Sequence, residues 1–424
     1  MDEKPAAKKV ARAEGDREAK NEKDDALATD QGEELQSMPS GDAVVRNPPS
    51  EALPATTGSA KSGALLVDGD GRPPAVIEPP PVPVPPTSNE PPAESDTLPE
   101  AAVTALPDLI AGVATVVATV PGKAGIEGPV WHPSGYLLFS LVDNSEIWKW
   151  QPGSSPTAWR AIGRRSNGLT FDAQGDLVIC EDSQTVVSRI ASARSGAVAG
   201  TRTTLAGQFD GKAFHGPNDC VVDSAGNLYF TDPWYGAGRG GSSALGSSYG
   251  VYRATPTGAL SLISNSFTPS VQEPAAFGWE TAPKASPNGL ALSPDESLLY
   301  VAVTGTNRVV KFSRQEDGTY GGRSVFTTEV SMPDGLKVDR AGRVYVATAQ
   351  GIAVFRPDGS KLGVVKLPKQ GGGDAGATNV AFGGPEMKSL FATADGNKIY
   401  RVELKVKGAN PWPFSSTLPD TLSQ

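Results

Sequence analysis

The sequence predicts an all-β chain, a six-bladed β-propeller preceded by a long disordered N-terminal tail. Three observations carry that expectation. A short motif ending in Asn or Asp, or centred on Glu, opens an apolar strand six times at intervals of roughly 40 to 70 residues, the period of propeller blades. Each opening leads into an alternating run, a D-x-x-G-like turn and a second apolar run. Between the first repeat and the last, no helical periodicity stands out.

The tail comes first. Residues 1–108 hold no Phe, Tyr or Trp, and their 10 Lys and Arg against 21 Asp and Glu give a formal −11. The rest of the chain has 28 against 26, so the whole acidic excess of the net −9 belongs to the tail. Few apolar groups, high charge and the run Pro79-Pro80-Pro81-Val82-Pro83-Val84-Pro85-Pro86 cannot bury enough surface to offset chain entropy. The run reads as a stiff polyproline II spacer that could engage a protein partner. The expected organisation is therefore a tail over 1–108, a propeller over 109–408 and a short C-terminal tail over 409–424. The propeller's near-neutral charge argues against a nucleic-acid surface. The apolar stretch from Leu109 to Val120 is too short to span a bilayer. It is better read as the strand that closes the ring, because the last repeat supplies only three strands and would otherwise leave an open edge.

The six openings are Glu127-Gly128-Pro129-Val130-Trp131, Asn167-Gly168-Leu169, Pro217-Asn218-Asp219-Cys220, Pro287-Asn288-Gly289-Leu290, Pro333-Asp334-Gly335-Leu336 and Thr378-Asn379-Val380. Val221 to Phe230 shows the grammar most clearly, with Asp223-Ser224-Ala225-Gly226 as its turn, and Leu336 to Val346 repeats it almost residue for residue. A third strand follows in most units, as at Ile147 to Trp150 and Ile352 to Phe355. No secretory signal opens the chain, which makes the cytoplasm the default compartment, with the envelope or secretion as alternatives. Cys180 and Cys220 read as small core residues rather than a disulfide.

In a propeller, the innermost strand of each blade lines a central channel, so the motif residues converge on one mouth. Glu127, Asn167, Asn218, Asn288, Asp334 and Asn379 would form a ring of hard oxygen donors there, suited to calcium or a similar divalent cation. Asn-Gly and Asp-Gly are also the commonest turn dipeptides. Here, however, they begin inner strands, and the hairpins already use D-x-x-G. Histidine chemistry is nearly excluded: His132 sits before Pro133-Ser134-Gly135 and is expected to be solvent-exposed, while His215 lies three residues before Asn218 and could touch a substrate. Neither Ser183 nor Ser286 sits in a nucleophile elbow, and there is no P-loop or dinucleotide fingerprint. Two long connections are expected to border the site. One is Gly236 to Ser248 after Thr231-Asp232-Pro233-Trp234-Tyr235, and the other is the approach to Asn288 carrying Phe277 and Trp279.

Together these motifs, with Ser293-Pro294-Asp295 and Ala381-Phe382-Gly383-Gly384, resemble the SMP-30/gluconolactonase/LRE family from about Val120 to Leu404. The resemblance implies a six-bladed propeller holding one divalent metal, calcium first and magnesium, manganese or zinc as alternatives, and hydrolysis of a lactone, above all a sugar lactone. It makes Glu127, Asn218, Asn288 and Asp334 the metal ligands and Asp334 the catalytic residue assisting water attack. Asn167, Lys212, His215, Trp234 and Asn379 become substrate contacts. Where many gluconolactonases carry an Arg just before Pro-Asn-Asp, this chain has Lys212-Ala213-Phe214-His215-Gly216, which puts sugar-acid specificity in question more than the reaction. A phosphotriesterase-like hydrolase on the same metal ring and a non-catalytic ligand- or protein-binding platform are the alternatives.

Overall fold

A computed structural model describes residues 103–122, 125–191, 200–233, 235, 245, 249–265, 267 and 286–409. The acidic tail and its Pro-rich run, Trp234, Phe277 and Trp279 lie outside the described residues. So does the chain after Ala409.

Six four-stranded antiparallel sheets follow one another. Blade one contains Ile126–His132, Tyr136–Leu141, Glu146–Trp150 and Thr157–Ala161, and blade two Ser166–Phe171, Leu177–Glu181, Val186–Ile190 and Arg202–Ala206. Blade three contains Cys220–Val222, Leu228–Asp232, Gly250–Ala254 and Leu260–Ser264, and blade four Pro287–Leu292, Leu298–Val303, Arg308–Arg314 and Tyr320–Thr327. Blade five contains Leu336–Val338, Val344–Thr348, Gly351–Phe355 and Lys361–Val365. The sixth is composite: Ala377–Gly383, Ser389–Ala394 and Lys398–Glu403 take Thr115–Thr119 as their outer strand, in antiparallel register with Thr115 opposite Arg401. That pairing closes the ring and removes the edge that Lys398–Glu403 would otherwise expose. The first strand of each blade lies against the first strand of the next, and the sixth against the first.

The hairpins explain the repeated turn residues. Asp339 Oδ1 accepts the backbone N–H groups of Ala341 (2.9 Å) and Arg343 (3.0 Å), and Asp172 Oδ1 accepts those of Gln174 and Asp176 (both 2.9 Å). An Asp side chain thus closes the loop while a glycine three residues on takes the left-handed conformation, as Gly342 and Gly175 do. Alternate residues of the strands fill the space between neighbouring blades. Trp131 of blade one stacks on Phe391 of blade six with centroids 5.2 Å apart, and Tyr345 meets Phe382 edge-on at 5.2 Å. No helix among the described residues is long and apolar enough to cross a membrane.

Candidate active site

The motif residues owe their aim to a bulge. Glu127 pairs with Ser140, yet the next registered pair is Val130 with Leu138, and the same slip recurs between Ser166 and Leu169 and between Pro287 and Leu290. An extra residue on the inner strand turns the side chain out of the pleat, toward the channel. The glycines that follow are there for close approach rather than for hairpin turns. Gly168 N–H donates to the Asn218 carbonyl at 2.7 Å and Gly335 N–H to that of Thr378 at 2.9 Å, so the main chains of adjacent blades bond directly. At Gly128, with φ of +53°, a Cβ would overlap the Asn167 carbonyl oxygen. Gly128→Ala combines strain with a main-chain clash and is expected to cost about 3 kcal/mol or more. Urea unfolding with an unchanged midpoint would refute this account of the closure.

Two carboxylates and the Asn288 amide converge at this end. Burial first, and the negative charge of Asp219 second, push the Glu127 carboxyl from 4.5 up to about 8 against the Gly128 N–H, the Asn379 amide and the Lys337 ammonium. Asp334 is held well above the ordinary carboxylate range by burial, then by Glu127 and Asp219, with the Asn288 amide and Gly335 N–H opposing. Asn288 Nδ2 donates to Thr304 Oγ1 at 3.0 Å, and that hydroxyl donates to the Pro333 carbonyl at 2.6 Å. With its NH2 directed to Thr304 and Asp334, Asn288 presents Oδ1 as a free acceptor. Asn218 is buried, its main-chain N–H bonded to Thr231 O at 2.9 Å.

The other ring residues are placed differently. Asn379 is 3% exposed; its Oδ1 accepts Val380 N–H at 2.8 Å, and its Nδ2 reaches Asp219 Oδ2 at 3.4 Å. It braces Asp219 and Glu127 from within. Asn167 is half-buried, its carbonyl accepting Ser140 Oγ at 2.7 Å. Lys212 is exposed on a two-strand hairpin of Gln208–Phe209 and Lys212–Ala213.

His215 is buried against Asp232, whose carboxylate accepts the His215 N–H (2.9 Å) and the Gly216 N–H (2.8 Å) and lies 3.0 Å from ring atom Nδ1. Asp232 therefore anchors the segment that delivers Asn218. Asp232→Ala leaves two buried N–H groups without their acceptor and is expected to lower stability by about 3 kcal/mol; chemical denaturation checks it. His132 is not at the surface as its turn context suggests. It is fully buried, stacked on Tyr136 at 4.3 Å with Phe171 of the next blade edge-on at 5.5 Å, because the ring folds back over its own hairpin. Cys180 and Cys220 are free and buried.

Three residues escaped the sequence reading. Asp219 is buried next to Asn218, its Oδ1 accepting Cys220 N–H at 2.8 Å. Lys337, whose ammonium also donates to Leu336 O at 3.1 Å, is the counter-charge to Asp219 and Glu127. A signal existed for it: three residues after each motif residue stand Val130, Thr170, Val221, Ala291, Lys337 and Phe382, and Lys337 alone is charged. Tyr235 comes from beyond the second strand of blade three. Burial, then Asp334, Glu127 and Asp219, hold its phenol in the protonated form.

Three mutually repelling carboxylates, Asp219 buried and Glu127 and Asp334 half-buried, are offset by one ammonium and leave the charge deficit that a divalent cation would fill. Among the described residues, no three His, Cys, Asp or Glu side chains converge so as to hold an ion alone. A cation here would need the amides, and Glu127, Asn218, Asn288 and Asp334 fit it as a hard oxygen set.

Fold and site define a six-bladed propeller with an acid-and-amide ring at one end of its channel. Residues 126–396 match the model of the SMP-30/Gluconolactonase/LRE-like region, and the chain belongs to that family. It is 28% identical over 309 residues to a gluconolactonase of Zymomonas mobilis, covering 66% of this chain and 79% of that protein. To pentonolactonase XacC of Haloferax volcanii it is 24% identical over 277 residues, covering 64% and 81%. A solved gluconolactonase structure from Xanthomonas campestris superposes with a TM-score of 0.59 at 26% identity, over 72% of this chain and 94% of that one. The calcium-binding protein regucalcin from Agrobacterium tumefaciens shares the fold, with a TM-score of 0.51 at 17% identity over 70% and 96%.

Proposed function

We propose that the chain is a metal-dependent hydrolase that opens lactone rings, with sugar lactones as its substrate class. The carrying observation is the convergence of Glu127 and Asp334, from blades one and five, with the buried amide of Asn288 bonded to Asp334. The gluconolactonase and pentonolactonase relatives support the substrate class.

Glu127, Asn218, Asn288 and Asp334 would hold one divalent cation, calcium in our reading, whose Lewis acidity would polarise the lactone carbonyl. Asp334 accepts a proton from the attacking water as the new C–O bond forms, and gives it to the ring oxygen as the ester C–O bond breaks, releasing a hydroxy acid. Asn288 and the Gly335 N–H hold the Asp334 carboxylate in place throughout. Tyr235, a phenol at neutral pH, lies within the field of Asp334, Glu127 and Asp219. Asn167 stands at the same end of the channel as a further substrate contact.

Proton release from glucono-1,5-lactone, other lactones and a phosphotriester, with calcium and then with chelator, tests the reading once spontaneous opening is subtracted. Calcium-dependent acceleration of a lactone that is lost in Glu127→Gln is expected. Acceleration of the phosphotriester alone would transfer the site to phosphotriester hydrolysis. A chain that retains no metal would be a binding platform.

A further inference from the structure

Every inner strand runs away from the ring, so residues downstream of the motifs line the far half of the channel. There a cavity of about 420 Å³ opens among Val130, Val222, Leu292, Val338 and Phe382, in the size range of small-molecule sites. None of the proposed metal ligands lines it.

Its charged groups are few and unequal. Glu296 is already satisfied: its carboxylate accepts Ser224 N–H (2.6 Å), Ser224 Oγ (2.8 Å) and Arg314 Nη1 (3.0 Å). Lys337 lines the wall of blade five with its ammonium engaged by Leu336 O and by the charges of Asp219 and Glu127, and Arg340 stands exposed at the rim. Among the described residues, Arg340 has no carboxylate within ion-pair distance. The cavity thus pairs apolar walls with one exposed cation and a neutralised acid.

We propose that this cavity is a second ligand site, separate from the acid-and-amide ring, for a small monocarboxylate with an apolar body. The body would lie against Val130, Val222, Leu292 and Phe382, and the carboxylate would be held by Arg340 at the rim. Charge complementarity selects the anion, and the apolar walls exclude a fully hydroxylated one such as a sugar acid.

The test is a calorimetric titration of the full chain with octanoate and with 1-octanol as its uncharged counterpart. Saturable octanoate binding is expected, about tenfold tighter than octanol, the worth of a charge-assisted contact. Arg340→Glu, at an exposed position, should remove that preference and leave octanol binding unchanged. Leu292→Trp, which fills the cavity from a half-buried position, should weaken both, with the circular dichroism of each variant unchanged. No saturable binding to the wild-type chain, octanol binding as tightly as octanoate, or octanoate affinity untouched by both substitutions would overturn the proposal.

Discussion

Asp334→Asn is expected to abolish lactone turnover and leave a folded propeller. The substitution replaces an acceptor-only carboxylate, which takes hydrogen bonds from Asn288 and the Gly335 N–H, with an amide that offers a single acceptor oxygen. It also removes the group that takes the proton from water. General-base catalysis is worth about 10² to 10⁴ in rate, and loss of a cation ligand adds to that, so kcat should fall by roughly a thousandfold or more. Folding should not suffer in the metal-free state. Burial, Glu127 and Asp219 all disfavour a charge on Asp334, so the neutral amide relieves repulsion. The chelated variant is therefore expected to melt no lower than the chelated wild type, while equilibrium dialysis shows weaker calcium retention. Full turnover in the variant would remove Asp334 from the mechanism.

Removing the cation should destabilise the propeller, and the size of the effect should depend on pH. An ion at 100 times its dissociation constant stabilises the folded state by about 2.7 kcal/mol, roughly 5 °C in Tm for a domain of this size. In the metal-free chain, Glu127 titrates at about 8 rather than 4.5. Its folded-state value is raised, so the stability it contributes is fully present below about 4.5 and is lost as pH rises through about 8. The chelated protein should therefore be least stable above pH 8. The loaded protein runs the other way, because protonation of Glu127 and Asp334 competes with the cation. The gap between the calcium and chelator melting curves should be widest above pH 8 and close toward pH 5. Scanning calorimetry at three pH values measures it, and a gap independent of pH would show that these carboxylates are not the ones the cation neutralises.

Much of this molecule was legible because its signals are local. Alternation, Asp side chains closing their own hairpins and a missing fourth strand in the last repeat are set by residues a few positions apart. They specify six blades, the closing strand and the common end at which Glu127, Asn288 and Asp334 arrive. The Asn-Gly and Asp-Gly pairs were visible as well, but their purpose was not. Whether glycine serves a turn or the approach of a neighbouring main chain depends on a strand some 40 or more residues away.

The sequence by itself determined the fold and the closure, and it marked the polar residue that opens each inner strand. Tertiary structure alone decided how that ring is charged and braced. Asn379 and Asp219 stand 160 residues apart and meet only when blades three and six face one channel. Lys337 becomes a counter-charge only because the folded ring brings Asp219 and Glu127 near it. His132 is drawn inside by Phe171 of the next blade despite its turn-like neighbours. Local pattern fixes backbone conformation through short-range sterics and hydrogen bonds, whereas electrostatics in a buried channel depends on distances that exist only once the ring has closed.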